Sequence, residues 1–366
     1  MVVISHSGNV PCVRKRGNKL MVSVVTLPQW LDDCLFRQLG ATYHQEYDEA
    51  EYTLPSDEPR VKGYLGTYFP RSFCEVICIA ANLFHNQDYY SLLKSRVMFN
   101  KEINILDIGC GTGGDIVGLL MVLDHYLPKD VKFNVYAFDG NEFALKYMDR
   151  AVSAFAAEVH PATEIVYKEQ HVIQGSYDFP LMALGVAGTE FDYILCCKMC
   201  GELKSRHVID QPYSAVASTF SARLKDSGVM LILDVTSKPD GCDKYLPREM
   251  NSELNSFIAS NGGFGTMVPK PCGERPGCAG DCYMQKRFVV SHSGCSYNQD
   301  LSKVCYRIIC RNALRDEMAA ASALEALGAA SDPQKAYIIH NDNEFDHRVC
   351  PFFDEGTEVD AFDINS

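Results

Sequence analysis

A nearly unbroken apolar run that ends in glycines constrains this chain more than any other feature: Asn104-Ile-Leu-Asp-Ile-Gly-Cys-Gly-Thr-Gly-Gly-Asp115. Ile105, Leu106 and Ile108 are too continuously apolar for a strand with one wet face, so 103–108 predicts a strand covered on both sides. Gly109, Gly111 and Gly113 leave no side chain where the backbone must turn and approach a ligand closely. Ile116, Val117, Leu119, Leu120 and Leu123 then recur at helical spacing, so the turn opens a helix. A second apolar run, Val135-Tyr-Ala-Phe-Asp139, closes on an acid where a doubly wound fold sets one against a ribose hydroxyl. The pairing predicts two neighbouring parallel strands sharing one nucleotide-like ligand.

From residue 101 onward strand and helix patterns alternate, as in a parallel sheet with helices on both faces. Strands are predicted at 103–108, 133–138, 164–168, 191–196 and 229–235, with helices between them and another near 246–260. Asp226-Ser-Gly228 reads as the turn before the fifth strand, and Val229 to Val235 is apolar enough to be central. The first hundred residues read as a helical region, with helices over Leu27 to Leu39 and Phe73 to Phe84. Tyr43 to Lys62, rich in acids, tyrosine and proline, reads as a loop or extended arm. The division that follows is an N-terminal helical region (1–100), a sheet core (101–262), a cysteine-rich loop with a final strand (263–312) and a C-terminal segment (313–366).

A formal net charge of -13 argues against indiscriminate nucleic-acid binding, which rests on lysine and arginine displacing counterions. Lys286-Arg287 and Arg307 with Arg311 are the candidates for a local basic face. No stretch approaches the roughly 20 apolar residues of a membrane span, so no membrane partner is expected. The opening residues carry neither a secretory nor a transit pattern, which favours a cytoplasmic location, with a mitochondrial one as the alternative. The 16 cysteines lack a compact disulfide spacing, and reduced thiols or metal ligation suit them better.

The fourth predicted strand leads into Cys196-Cys-Lys-Met-Cys-Gly-Glu-Leu203, at the carboxyl edge where such sheets bind ligands. Cys197 and Cys200 form a CxxC, better read as strand-end packing than as redox or metal chemistry. Glu202 is the one catalytic candidate, able to orient an amine or hydroxyl, although an acid at a helix start also suits the free amides there.

Pro269-Lys-Pro-Cys-Gly-Glu-Arg-Pro-Gly-Cys-Ala-Gly-Asp-Cys282 is the second informative stretch. Its prolines and glycines keep regular structure from forming and leave Cys272, Cys278 and Cys282 free to converge on zinc or an iron-sulfur cluster, for which four ligands are normally required. Spacing alone chooses neither the metal nor the fourth ligand. Cys295 is nearest, Cys350 is distant, and Cys305 and Cys310 lie in an apolar strand pattern that suits the core.

Leu106-Asp-Ile-Gly-Cys-Gly-Thr-Gly113 resembles motif I of class I S-adenosylmethionine-dependent methyltransferases, a Rossmann-like α/β doubly wound fold. The resemblance implies that Gly109 to Gly111, Cys110 among them, lie along the methionine part of the donor, that Asp107 organises their loop, that Asp139 takes the ribose, and that Gly113 and Gly140 also belong to the donor site. A narrower resemblance rests on the order of Tyr64-Leu-Gly-Thr-Tyr-Phe-Pro-Arg-Ser-Phe73, motif I, Cys200-Gly-Glu-Leu203, Pro271-Cys-Gly-Glu-Arg-Pro-Gly-Cys278 with Cys282, and Lys303-Val-Cys-Tyr-Arg-Ile-Ile-Cys-Arg311. Over roughly residues 60 to 356 this order is similar to the mitochondrial small-ribosomal-subunit methyltransferase-like assembly family and its bacterial relatives. It implies a four-iron cluster on Cys272, Cys278, Cys282 and Cys350, and ribosomal RNA or the small subunit as partner. The function expected is methyl transfer to RNA. The alternatives are a non-catalytic assembly factor that binds the same donor, and a zinc-bearing protein or small-molecule methyltransferase, which the acidic charge suits.

Overall fold

The computed structural model describes residues 23–44, 57–238, 244–268, 282–295, 300–314, 338–340 and 348–349. In chain order these form β1 (Ser23–Thr26), α1 (Gln29–Asp32) running into a wide helical turn at Asp33–Gln38, α2 (Glu58–His85), α3 (Gln87–Asn100), β2 (Glu102–Ile108), α4 (Gly114–Tyr126), β3 (Lys132–Asp139) and α5 (Glu142–Glu158). There follow β4 (Thr163–Gln170), α6 (Asp178–Gly185), β5 (Phe191–Cys197), α7 (Met199–Ser205), α8 (Pro212–Phe220), β6 (Leu224–Val235) and α9 (Leu246–Ser260). The remaining elements are β7 (Phe264–Val268), β8 (Cys282–Ser291), β9 (Asp300–Arg311), β10 (Ile338–His340) and β11 (Arg348–Val349).

Among the described residues the strands form one mixed sheet in the order β11-β10-β8-β9-β6-β5-β2-β3-β4, with β1 beside β8 and β7 beside β9. From β6 to β4 every pairing is parallel. The chain winds outward from β2 to β4 and then returns to β5 and β6, so the order reverses between β2 and β5. This is the switch point, where the loops after two adjacent strands diverge and open a crevice. Beyond β6 the pairing turns antiparallel through β9 and β8. β6 therefore lies mid-sheet, as its apolar run requires. Alternation along β5 divides the core, with Tyr193, Leu195 and Cys197 joining the layer under α2 to α5, and Ile194 and Cys196 the layer under α6 to α9. Among the described residues no helix is long and apolar enough to cross a membrane.

Three details differ from the sequence reading. The expected arm over Tyr43 to Lys62 gives way at Glu58 to α2, which begins well before Phe73. Asp57 caps it by accepting the Arg60 amide at 3.1 Å, Pro59 sits in the first turn where its missing N–H costs nothing, and the helix runs through Pro70. Packing outweighs that proline: the carbonyls of Phe69 and Phe73 lie so near α4 that a Cβ on Gly114 or Gly118 would sit 2.4 or 2.8 Å from them. Asp226 to Gly228 is not a turn but part of β6, where the register steps from Phe191↔Leu224 to Tyr193↔Val229. Gly228 permits this irregularity because any Cβ there would meet the Phe191 carbonyl at 2.6 Å. Finally, Lys303 to Arg311 belongs to β9 but is not the last strand, since β10 and β11 follow.

Candidate functional site at the sheet switch point

The glycine loop leaves β2 with Gly109 at φ +79° and Gly111 at φ +50°, backbone that a side chain would strain. The amides of Gly109 and Cys110 both donate to the Phe138 carbonyl, at 2.9 and 3.0 Å. The Gly111 amide donates to Asp139 Oδ2 at 2.8 Å, and Asn141 donates to Asp139 Oδ1 at the same distance. Asp139 thus clasps the loop to the end of β3, and each oxygen keeps a lone pair. Burial pushes its carboxyl up to about 6, against the pull of these amides.

Space around the loop is filled from two sides. A Cβ on Gly109 would strike the Met199 side chain at 2.7 Å, and one on Gly111 would come within 3.2 Å of the Tyr64 hydroxyl. Met199 opens α7, and Tyr64 belongs to α2, whose Tyr68 ring lies 4.7 Å from that of Tyr64 with the Arg71 guanidinium 5.4 Å beyond. Arg71 in turn makes a bidentate pair with buried Asp300, at 2.7 and 2.9 Å. One stripe of α2 therefore lies along the open edge of the sheet.

Beneath the loop sits an acid pair. Asp107 is wholly buried, and neither of its oxygens meets an N–H or hydroxyl donor. Its neighbour is the buried Asp115 carboxyl, whose charge adds to the effect of burial on Asp107. Burial raises both acids, Asp107 well above the usual range and Asp115 to about 6, with the Lys198 cation drawing Asp115 down. Asp115 accepts the Ile116 amide at 3.0 Å, whereas Asp107 meets no such donor, and a buried carboxyl without a donor favours an ammonium group.

The block after β5 is explained residue by residue. The CxxC partners do not meet: Cys197 turns to one layer of the core, whereas Cys196 lies 3.5 Å, sulfur to sulfur, from Cys200 on the other. Gly201 is required because Asp234 reaches its amide at 2.6 Å, and a Cβ would sit 2.4 Å from that carboxylate. Asp234 also accepts from Tyr213 at 2.9 Å, and burial pushes it up to about 7. Glu202 is half-exposed and pairs with Arg206, just past the end of α7.

Of the expected metal ligands, Cys272, Cys278 and Cys350 lie outside the described residues, and Cys282 begins β8. Cys295 is buried and hydrogen-bonded to Tyr43. Cys305 and Cys310 are fully buried in β9, as core residues. Among the described residues no three His, Cys, Asp or Glu side chains converge so as to hold a metal ion.

Sequence reasoning singled out Asp107, Gly109, Cys110, Gly111, Gly113, Asp139 and Gly140, and these lie together at the switch point. It missed Asp115, Tyr64 as a cover for the loop, and the Lys198–Met199 turn. Asp115 had a signal, an acid two residues past the last loop glycine. Tyr64 comes from α2, some forty residues upstream, and the Lys198–Met199 turn from the end of β5, far downstream, and no local pattern announces either contact.

The family model described as a methyltransferase domain matches residues 84–267, half of the chain. No curated protein matches. Many solved structures overlay part of it. One is described under "Conversion of a Disulfide Bond into a Thioacetal Group during Echinomycin Biosynthesis" (14% identity, 65% of this chain and 87% of that one, TM-score 0.34). A putative RNA methyltransferase from Pyrococcus horikoshii aligns at 12% identity over 77% of this chain and 98% of its own, with TM-score 0.34. TrmN from Thermus thermophilus aligns at 16% identity over 63% and 48%, with TM-score 0.32. The matched span runs from the end of α2 to β7 and contains the glycine loop, Asp139 and the β5–α7 turn, so the chain belongs to the methyltransferase domain family and is an S-adenosylmethionine-dependent methyltransferase.

Proposed function

We propose that the switch point holds the donor and that the methyl group goes to RNA, the small-subunit ribosomal RNA above all. The donor supplies a methyl already activated on a sulfonium, so the protein's task is in-line orientation and exclusion of water. Asp139 has lone pairs left for the ribose hydroxyls, and Asp107, buried beside Asp115 without an N–H or hydroxyl donor, suits the ammonium of the methionine part. Gly109 to Gly111 admit the donor to the backbone between them. Met199 and Tyr64 shield that loop from water.

One observation carries the acceptor class. Blocks far apart in sequence that resemble the ribosomal methyltransferase-like family meet at the carboxyl edge of the sheet: Tyr64 covers the glycine loop, Gly201 is anchored by Asp234, and Val304 and Cys305, at the start of the third block, pair with Val235 and Asp234. Their shared edge position supports reading them as the frame of one acceptor site, since most of these residues are buried. Incubating the full chain with methyl-labelled donor and small-subunit RNA, followed by mass spectrometry of RNA and protein, tests it. Label in RNA is expected. Label only in protein or small molecules, or none at all, rejects the RNA assignment.

The same reading gives Cys272, Cys278, Cys282 and Cys350 to one four-iron cluster, a staple between the cysteine loop and the C-terminal segment. Strand register supports the distant ligand: His340 pairs with Cys282 on one side and with Arg348 on the other, so the chain entering Cys350 runs one strand away from the chain leaving the loop. Anaerobic purification should yield brown protein with iron and acid-labile sulfide, and Cys350→Ser should lower both. Stoichiometric zinc without sulfide rejects the cluster, and full occupancy in that variant moves the fourth ligand to Cys295.

A further inference from the structure

We infer that Lys198 is a positioning residue for the methyl donor, its ion pair with Glu75 latching the cap helix α2 and the β5–α7 turn together over the glycine loop. The inference rests on the donor site proposed above. Lys198 Nζ lies 2.7 Å from Glu75 Oε2 and 3.3 Å from Ser72 Oγ, both on α2. The pair is buried, with Glu75 0% and Lys198 15% exposed, and Ser302 of β9 donates to the other Glu75 oxygen. Each partner belongs to an element that covers one loop glycine. Lys198 is followed by Met199, which fills the space over Gly109, and Glu75 shares its helix with Tyr64, which does so over Gly111.

The backbone makes the same point. Lys198 adopts φ +68°, a left-handed conformation that glycine takes freely and lysine does not, while its amide is held by the Leu233 carbonyl at 2.7 Å. Glycine would serve the turn alone, so a strained lysine here points to its amine. That amine is already neutralised by Glu75, which makes it a poor hook for an anionic acceptor and a good tie between two walls. Burial raises Asp115 beneath the loop and Asp234 beneath α7, and the Lys198 charge opposes that rise in both.

A tie and a plain structural pair are separated by comparing donor affinity with stability. S-adenosylhomocysteine binding by calorimetry and thermal unfolding are measured on the full chain for wild type, Lys198→Met, Glu75→Gln, the double variant, Lys198→Arg and Asp139→Ala. Each single variant leaves a lone buried charge and should melt earlier, whereas the double variant carries none and should recover much of the melting temperature. The latch predicts at least tenfold weaker binding in the singles and in the double alike, with Lys198→Arg within about threefold of wild type. Affinity that recovers together with the melting temperature in the double variant, or wild-type affinity in a folded single, overturns the latch alone. Should the singles fail to fold, the double variant decides. Wild type that does not bind rejects the donor site and the latch with it, and undiminished binding in Asp139→Ala rejects the ribose assignment while the double variant still judges the latch.

Discussion

Gly111 and Asp139 are joined by a 2.8 Å hydrogen bond from backbone amide to carboxylate, which ties the loop after β2 to the end of β3. Asp139→Ala removes this clasp, the Asn141 contact and the proposed ribose acceptor together. Donor affinity should fall by about 1 to 3 kcal/mol, measured by calorimetry with S-adenosylhomocysteine. Unchanged affinity would reject the ribose assignment.

The same carboxyl sets a pH dependence. Desolvation pushes Asp139 and Asp115 both up to about 6, above their ordinary range. Protonation removes acceptor capacity at Asp139 and negative charge at Asp115, so donor affinity should be flat above pH 7 and decline as the pH falls through 6. The stability linkage has the opposite sign: raised acids favour the fold at low pH and lose that contribution as the pH rises from about 4 through 6. Titrations at several pH values check the first claim, and affinity that holds steady down to pH 5 sinks it.

At the far end of the sheet, His160 is wholly buried with Nδ1 2.8 Å from Asp124 Oδ1 and Nε2 2.7 Å from the Val131 carbonyl. Burial would raise Asp124, but the hydrogen bonds from His160 and Lys129 outweigh it and hold the acid below its usual range. That contribution is present at neutral pH and is lost on acidification below about 4. His160→Leu should cost about 3 kcal/mol in denaturant melts and blunt this acid sensitivity, because Asp124 stays buried with one exposed partner. It should leave donor binding to the folded fraction intact.

Gly114→Ala tests the seat of α2 on α4. Alanine gains about 1 kcal/mol of helix propensity, but its methyl would lie 2.4 Å from the Phe69 carbonyl. Backbone cannot yield as a side chain does, so a net loss of about 2 kcal/mol is expected. A more stable variant would show that α2 is free to lift.

Cysteine oxidation offers a direct test of side-chain facing. With Cys196 and Cys200 3.5 Å apart and Cys197 on the opposite face, mild diamide treatment and peptide mapping should find any local disulfide between Cys196 and Cys200. A Cys197–Cys200 link would contradict the alternation along β5.

The sheet core was largely legible because buried parallel strands are written as continuous apolar runs, and α9 carries a clear helical period. The loop, Asp107 and Asp139 were legible because glycine and acid placement there is local. The start of α2 was hidden by Pro59 and Pro70, one harmless in a first turn and the other overruled by packing on α4. The bulge at Gly228 looked like a turn because glycine serves both. Nor does a CxxC spacing disclose that a strand end separates its members, so that alternation hands Cys200 to Cys196 instead. The Lys198–Glu75 and Arg71–Asp300 pairs join residues more than a hundred positions apart and leave no trace in any window of sequence.

β1 has a kinetic consequence. It pairs with the end of β8, Thr26 against Ser291, while β10 takes the start of the same strand. The first described strand to leave the ribosome must therefore wait for a partner made more than 250 residues later. Until then its backbone is unsatisfied and its apolar residues are open to other chains. Folding should thus proceed in two stages, a local parallel core that forms during synthesis and a late closure that brings both ends of the chain to one strand. The second stage is the slow, aggregation-exposed step.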